Sequence, residues 1–285
     1  MTSFARDDIP TARRIVVKVG SSSISGENVG KIQPIVEALA EAHAGGTEVV
    51  LVSSGAIATG MPYLRLGERP TDLATQQAAA AVGQNVLIYR YQEALRPFSI
   101  VAGQVLLTAG DLDNPTPRSN ARRAMERLLG LRILPIVNEN DTVATHEIRF
   151  GDNDRLAALV AQLIGADALV LLSDIECLYT RPPDEPGARP IRRVEYGDDL
   201  SGYEFGSVVV NSVGTGGAAT KVSAARVATA SGIGVLVTSA ELVDRALRGE
   251  DIGTWFDPHP APVFLPVTGP IRRAGGGSPV DTLDG

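Results

Sequence analysis

The sequence predicts an α/β fold, an open and mainly parallel sheet sandwiched between helical layers, and three observations carry that expectation. Six short apolar runs rich in β-branched residues recur along the chain. Their near-continuous hydrophobicity marks strands buried on both faces, as parallel strands covered by helices are. Alanine-rich segments with helical periodicity separate them, which gives a βαβ alternation. The polar clusters follow strands, and in open α/β sheets ligands bind at the carboxyl ends of strands.

Taken in chain order, the expected strands are residues 15–19, 48–52, 100–107, 133–137, 168–172 and 234–238. The expected helices are 29–44, 73–95, 119–129, 153–164 and 219–231, and no internal repeat is present. Residues 1–12 read as a flexible N-terminal segment. Acidic Asp7 and Asp8, with no apolar stretch before Pro10, do not make a signal peptide. Residues 13–257 form one expected domain. From 258 to 285 the character changes to Pro258, Pro260, Pro262, Pro266 and Pro270 followed by Gly275-Gly276-Gly277, which reads as a flexible tail.

Composition narrows the class. A chain of 285 residues with 44% hydrophobic content can bury a large core. A formal charge of −7 argues against a general nucleic-acid or anionic-membrane surface, yet leaves room for a nucleotide held by local positive charge and backbone N–H groups. The single Cys177 excludes an internal disulfide framework and suits a reducing cytoplasm. No apolar run approaches the roughly 20 residues needed to span a bilayer.

The most informative stretch is Asn138-Glu139-Asn140-Asp141 and, ten positions on, Gly151-Asp152-Asn153-Asp154. Side chains this polar at the end of a buried strand are costly unless they bind something, although Asn, Asp and Gly are also ordinary turn residues. Lysine usage points the same way. Only Lys18, Lys31 and Lys221 of the 26 basic residues are lysine, and two of them sit in Gly/Ser/Thr-rich loops. Lysine is a compact point charge that can follow a moving phosphoryl group, which arginine's rigid fork does not match. Lys31 falls on a helical pattern and reads as structural. Gly20 with Ser21 to Ser23, Ser53-Ser54-Gly55-Ala56, Asn138 to Asp141 and Ser173-Asp174 each follow an expected strand, so separate loops converge on one sheet edge. The segment 214–221 lacks the glycine before lysine of a Walker-type loop, and its loose dinucleotide fingerprint comes late in the chain without the acidic residue that should follow.

Together, Val17-Lys18-Val19-Gly20-Ser21, Val52-Ser53-Ser54-Gly55-Ala56-Ile57-Ala58, the stretch from Asn138 to Thr145 with Glu147-Ile148, Gly151 to Asp154, and Gly214-Thr215-Gly216-Gly217 through Lys221 resemble the amino acid kinase family. The resemblance runs from about Arg14 to Phe256 and includes Gln76 to Gln84 and Gly103 to Thr108. It is nearest to members that transfer the ATP γ-phosphoryl group to the side-chain carboxylate of L-glutamate, the first step of proline biosynthesis. It implies a sheet of about eight strands, ATP and Mg²⁺ as cofactors, and Lys18 and Lys221 on the phosphates with Asp154 holding both. It further implies Ser54, Asp141 and Asn153 on glutamate, and an ATP pocket from Lys18, Gly20, Ser173, Asp174, Thr215, Gly216, Gly217, Ala218, Ala219, Thr220 and Lys221. No metal ligand is expected from the protein, and His43, His146 and His259 have no expected catalytic part. Implied partners are glutamyl phosphate reductase for the labile product and further copies of the chain in a dimer or tetramer, in the cytoplasm. A paralogue acting on another acidic amino acid, or a non-catalytic sensor of glutamate or proline, remains an alternative.

The chain departs from the family pattern in places. Cys177 stands where the family usually has glycine, and Ala218 where it favours methionine. Were position 177 to need φ > 0, cysteine there would be strained. Pro182-Pro183 and the stretch from Tyr196 to Asn211 are atypical. The C-terminal RNA-binding-type module of many members is not expected here.

Overall fold

The computed structural model describes residues 4–143, 153–203 and 217–260. Its strands are β1 (Arg14–Val19), β2 (Glu48–Val52), β3 (Ala102–Leu107), β4 (Leu134–Glu139), β5 (Ala168–Ser173), β6 (Leu178–Tyr179), β7 (Pro190–Ile191), β8 (Arg193–Val194), β9 (Gly234–Ser239) and β10 (Thr254–Phe256). The helices are α1 (Ile32–Ala44), α2 (Ala56–Gly60), α3 (Leu73–Leu95), α4 (Ala109–Asp113), α5 (Pro115–Gly130), α6 (Asn153–Ile164), α7 (Ala218–Thr229) and α8 (Val243–Leu247). Eight strands form one sheet in the order β3-β4-β2-β1-β5-β9-β10-β8, and only the β9–β10 pairing in it is antiparallel. The short β6 and β7 make a separate hairpin. No helix of the described residues is long and apolar enough to cross a membrane.

Successive strand residues point to opposite faces, and two hydrophobic clusters follow from that period. Ile15, Val17 and Val19 join Ile35 and Leu39 of α1, Leu87 and Tyr91 of α3, and Leu247 of α8. Val16, with Val50 and Val52 of β2, joins Met125 and Leu129 of α5, Leu156 and Val160 of α6, and Val222 and Ala225 of α7. Lys18 shares the parity of Val16, so it rises on the α6 and α7 side of the central strand.

Several boundaries differ from expectation for identifiable reasons. Helix α5 starts at Pro115 rather than 119, because the Asn114 side chain accepts from the Thr116 N–H at 3.2 Å and Pro115 occupies the first turn, where no N–H is needed. Strand β4 continues two residues past 137 because Leu106 and Leu107 of β3 pair with Asn138 and Glu139. Within the segment expected to be flexible, Arg6–Thr11 instead form a 3₁₀ turn whose Ile9 is fully buried, and the Arg6 guanidinium donates to the Ile252 carbonyl at 3.0 Å. The packed chain also extends beyond 257. Pro258 is buried, the His259 N–H donates to the Thr229 carbonyl at the end of α7 (2.9 Å), and its ring meets Tyr196 edge-on at 4.6 Å. Residues 261–285 lie outside the described residues.

Candidate active site

Three charged side chains meet beneath the carboxyl end of β1. Lys18 Nζ lies 2.5 Å from Asp154 Oδ1, and Lys221 Nζ lies 3.3 Å from Asp154 Oδ2. Asp154 is the second residue of α6 and Lys221 the fourth of α7, and these helices pack together on the face to which Lys18 points. The Thr220 hydroxyl is 3.0 Å from Asp154 Oδ2 and 2.9 Å from the Gly217 carbonyl. All three charged side chains are at most 6% exposed. Burial by itself would raise the Asp154 carboxyl, but the charges of Lys18 and Lys221 outweigh it and hold the group well below the usual carboxylate range. Two ammonium groups and one carboxylate carry one net positive charge. A buried excess charge is costly, so the cluster favours an arriving anion.

Loops suited to phosphate surround it. Gly20 follows β1 and leads into the Ser21–Ser23 turn, while Ser173 ends β5 with its hydroxyl 3.0 Å from Asp174 Oδ1. Gly217 precedes α7, whose first turn carries Ala218, Ala219 and Thr220. A helix N-terminus of this length presents unpaired N–H groups to an anion. Thr215 and Gly216 lie outside the described residues, as do His146, Glu147, Ile148, Gly151 and Asp152. Cys177 is buried and is not among the described residues with positive φ, so the cysteine is not strained by backbone handedness. Its burial pushes the thiol pKa up, which disfavours the thiolate.

Beside the cluster lies a cleft lined by Ser21, Ser54, Gly55, Ala58, Arg69, Asn138, Asp141 and Asn153, among others. Ser54 Oγ and Asn153 Oδ1 are buried without a hydrogen-bond partner. Such atoms are costly unless a ligand satisfies them. Asp141 is 7% exposed, and burial raises its carboxyl to about 6 against the opposing charge of Arg69. A chain of buried amides fixes the cleft floor. The Asn153 side chain donates to the Ser53 carbonyl (2.7 Å) and to Asn138 Oδ1 (2.9 Å), Asn138 donates to Gln84 Oε1 (3.2 Å), and Gln84 donates to the Glu139 carbonyl (3.2 Å). This ties β2, β4, α3 and α6 into one frame. Gly55 turns the chain at φ 86° into α2, and a Cβ there would sit 3.2 Å from Ser21 Cβ, so the loops after β1 and β2 touch.

Every expected site residue within the described chain therefore falls in one neighbourhood. Ser54, Asp141 and Asn153 line the cleft, Lys18, Asp154 and Lys221 form the charged cluster, and Gly20, Ser173, Asp174 and 217–220 lie in the loops at the carboxyl ends of the strands and the first turn of α7. Sequence reasoning did not single out Arg69, Gln84 or the positioning role of Asn138. Gln84 entered only as the end of the Gln76 to Gln84 stretch of the family resemblance, without a role of its own, and Arg69 lies in a loop without periodicity. Comparisons with known proteins agree with this architecture. Residues 13–239 match the amino acid kinase family. A glutamate 5-kinase of Clavibacter michiganensis subsp. michiganensis is 70% identical over 258 residues, covering 90% of this chain and 99% of that protein. A glutamate 5-kinase of Leifsonia xyli subsp. xyli is 71% identical over 258 residues, covering 90% and 96%. Among solved structures, carbamate kinase from Giardia lamblia bound to AMP-PNP superposes with a TM-score of 0.63 at 16% identity, over 88% of this chain and 100% of that one, a likeness of fold. With its parallel sheet, its buried lysine pair and these relatives, the chain belongs to the amino acid kinase family, on the branch of the glutamate 5-kinases.

Proposed function

We propose that the protein transfers the γ-phosphoryl group of ATP to the side-chain carboxylate of L-glutamate, giving L-glutamyl 5-phosphate, the first step of proline biosynthesis. The observation that carries this reading is the buried Lys18–Asp154–Lys221 cluster, one residue along α6 from Asn153 in the cleft. A glutamate γ-carboxylate oxygen bonds to the γ-phosphorus as the bond to the β,γ-bridging oxygen breaks, and ADP leaves with that electron pair. The acceptor's pKa of about 4.3 means it is already ionised, so no general base is needed. Charge developing on the transferring group is met by the two ammonium groups and by backbone N–H donors of the Gly20, Gly55 and Gly217 loops. Asp154 acts on the lysines, holding both in place. In the cleft, Asp141 pairs with the substrate ammonium, while Ser54 and Asn153 supply the unsatisfied polar atoms.

Magnesium belongs to the proposal as the partner of the ATP phosphates. Both Asp154 oxygens already face ammonium groups, and no group of three metal-binding side chains occurs among the described residues, so phosphate oxygens and water would hold the ion. The same reading includes a homo-oligomer (dimer or tetramer), a cytoplasmic setting, and a glutamyl phosphate reductase that consumes the labile acyl phosphate. ADP release coupled to a detection enzyme, with L-glutamate, L-aspartate and N-acetyl-L-glutamate as acceptors and hydroxylamine to trap the acyl phosphate, tests it. Glutamate-dependent ADP and hydroxamate are expected. Preference for another acid would reassign the acceptor, and glutamate binding without ADP release would make the protein a sensor.

A further inference from the structure

Arg69 has no part in the machinery described so far, yet it lines the substrate cleft with Ser54, Asp141 and Asn153. It lies in the connection between α2 and α3, is half-buried, and makes no hydrogen bond or ion pair among the described residues. A half-buried guanidinium at a cleft wall, without a hydrogen bond among the described residues and within reach of the Asp141 charge, is poised for an anion in the cleft, and its planar fork suits a carboxylate.

The proposed substrate supplies that anion. L-Glutamate carries three charges at neutral pH, and the γ-carboxylate must reach the phosphoryl group at the lysine cluster. Its ammonium is matched by Asp141. The α-carboxylate, on the same carbon as the ammonium, then needs a cation immediately beside Asp141, and Arg69 is the guanidinium lining the cleft with it. We propose that Arg69 binds the α-carboxylate of the acceptor amino acid, so that Asp141 and Arg69 together read the α-amino acid zwitterion while the lysine cluster handles the reacting end. This assignment rests on the glutamate-kinase reading. The influence of Arg69 on the Asp141 carboxyl places the two charges within electrostatic reach of each other. Selectivity follows from the chemistry: an acceptor that keeps the ammonium and γ-carboxylate but has a neutral α-substituent leaves the guanidinium unmatched.

The test compares L-glutamate with L-isoglutamine, whose α-carboxylate is an amide, as acceptors for the full-length wild type, Arg69→Met and Arg69→Lys. In the wild type kcat/KM should favour glutamate by about 10- to 100-fold, the range of a hydrogen bond to a charged group. Arg69→Met should lower kcat/KM for glutamate by that factor and leave isoglutamine nearly unchanged, with the ATP KM and thermal midpoint preserved, and Arg69→Lys should restore part of the preference. Equal losses for both acceptors would overturn the assignment, because Arg69 would then act through Asp141 or the shape of the loop. An unchanged glutamate preference in Arg69→Met would overturn it too. A wild type that neither binds nor phosphorylates L-glutamate would sink the underlying reading along with it, and that outcome is visible before any substitution is made.

Discussion

Asp154 and the two lysines that flank it respond differently to substitution because one carboxylate serves two cations. In Lys221→Met or Lys18→Met the carboxylate keeps one ammonium partner, so the fold survives, but a charge that stabilises the transition state is gone. Turnover should fall by about 10² to 10³, and a folded variant with near-normal kcat would remove that lysine from the mechanism. Asp154→Asn leaves two buried ammonium groups facing each other without their anion. Breaking a buried pair costs about 3–5 kcal/mol, so denaturant unfolding of this variant should show a loss of stability that neither lysine variant matches. Asp141 gives a pH signature. Its folded pKa is raised to about 6, so its stability contribution is fully present below the ordinary value and lost as pH rises through about 6. Binding has the opposite sense, because an ammonium pairs only with the ionised form. For glutamate, kcat/KM should rise about tenfold per unit as pH climbs toward 6 and level off above it, a limb that Asp141→Asn should abolish. The glutamate γ-carboxylate, near 4.3, titrates too low to produce it.

Short elements set the limits of what the sequence revealed. Five of the six long strands were legible as nearly continuous apolar runs and the five long helices by apolar residues at helical spacing, whereas β3, which carries Gly103 and the exposed Gln104, is an edge strand and is not buried on both faces as expected. Strands β8 and β10 were not legible, since two or three residues carry no periodicity and take their identity from backbone pairing. Lys18 and Lys221 stood out by the scarcity of lysine and their Gly/Ser/Thr-rich surroundings, although they lie in β1 and α7 rather than in loops. The place of Asp154 between them came from the family resemblance. Arg69 and the amide chain through Gln84 depend on which side chains fold into contact, which a single sequence does not display. Helix α2, also missed, is held by glycine contacts. A Cβ on Gly83 would lie 1.7 Å from the Ala56 carbonyl oxygen, and one on Gly60 1.9 Å from that of Ala79. Ala56 directly follows the Ser54-Gly55 turn, so Gly83→Ala should push α2 from α3 and disturb the cleft. The expected result is a loss of at least 1–3 kcal/mol, the usual range for overpacking, with a higher glutamate KM and a smaller change for ATP. Gly67→Ala, where an added Cβ meets nothing within 4 Å, is the matched control.

At the scale of the whole molecule, the packed chain runs from the Arg6–Thr11 turn to His259, and both ends close on the body. Residues 261–285 hold Pro262, Pro266, Pro270 and the Gly275-Gly276-Gly277 run, a composition poorly suited to forming a packed layer. A chain ending at Pro260 should therefore retain ATP turnover and its unfolding midpoint, as activity and calorimetry on the shortened protein would show. Loss of activity, or dissociation into smaller assemblies, would instead give Val263-Phe264-Leu265 a docking role. Cutting before His259 should be less benign, because it removes the donor to the last turn of α7. The alternation along β1 reaches further. Ile15, Val17 and Val19 face one hydrophobic cluster, and Val16 and Lys18 face the other. Losing or gaining one codon within that strand would carry Lys18 to the wrong side of the sheet, away from Asp154, and put an apolar residue in its place. Descendants of this chain can thus exchange residues in β1 one at a time, while changes of length have to be absorbed in connections remote from the carboxyl edge.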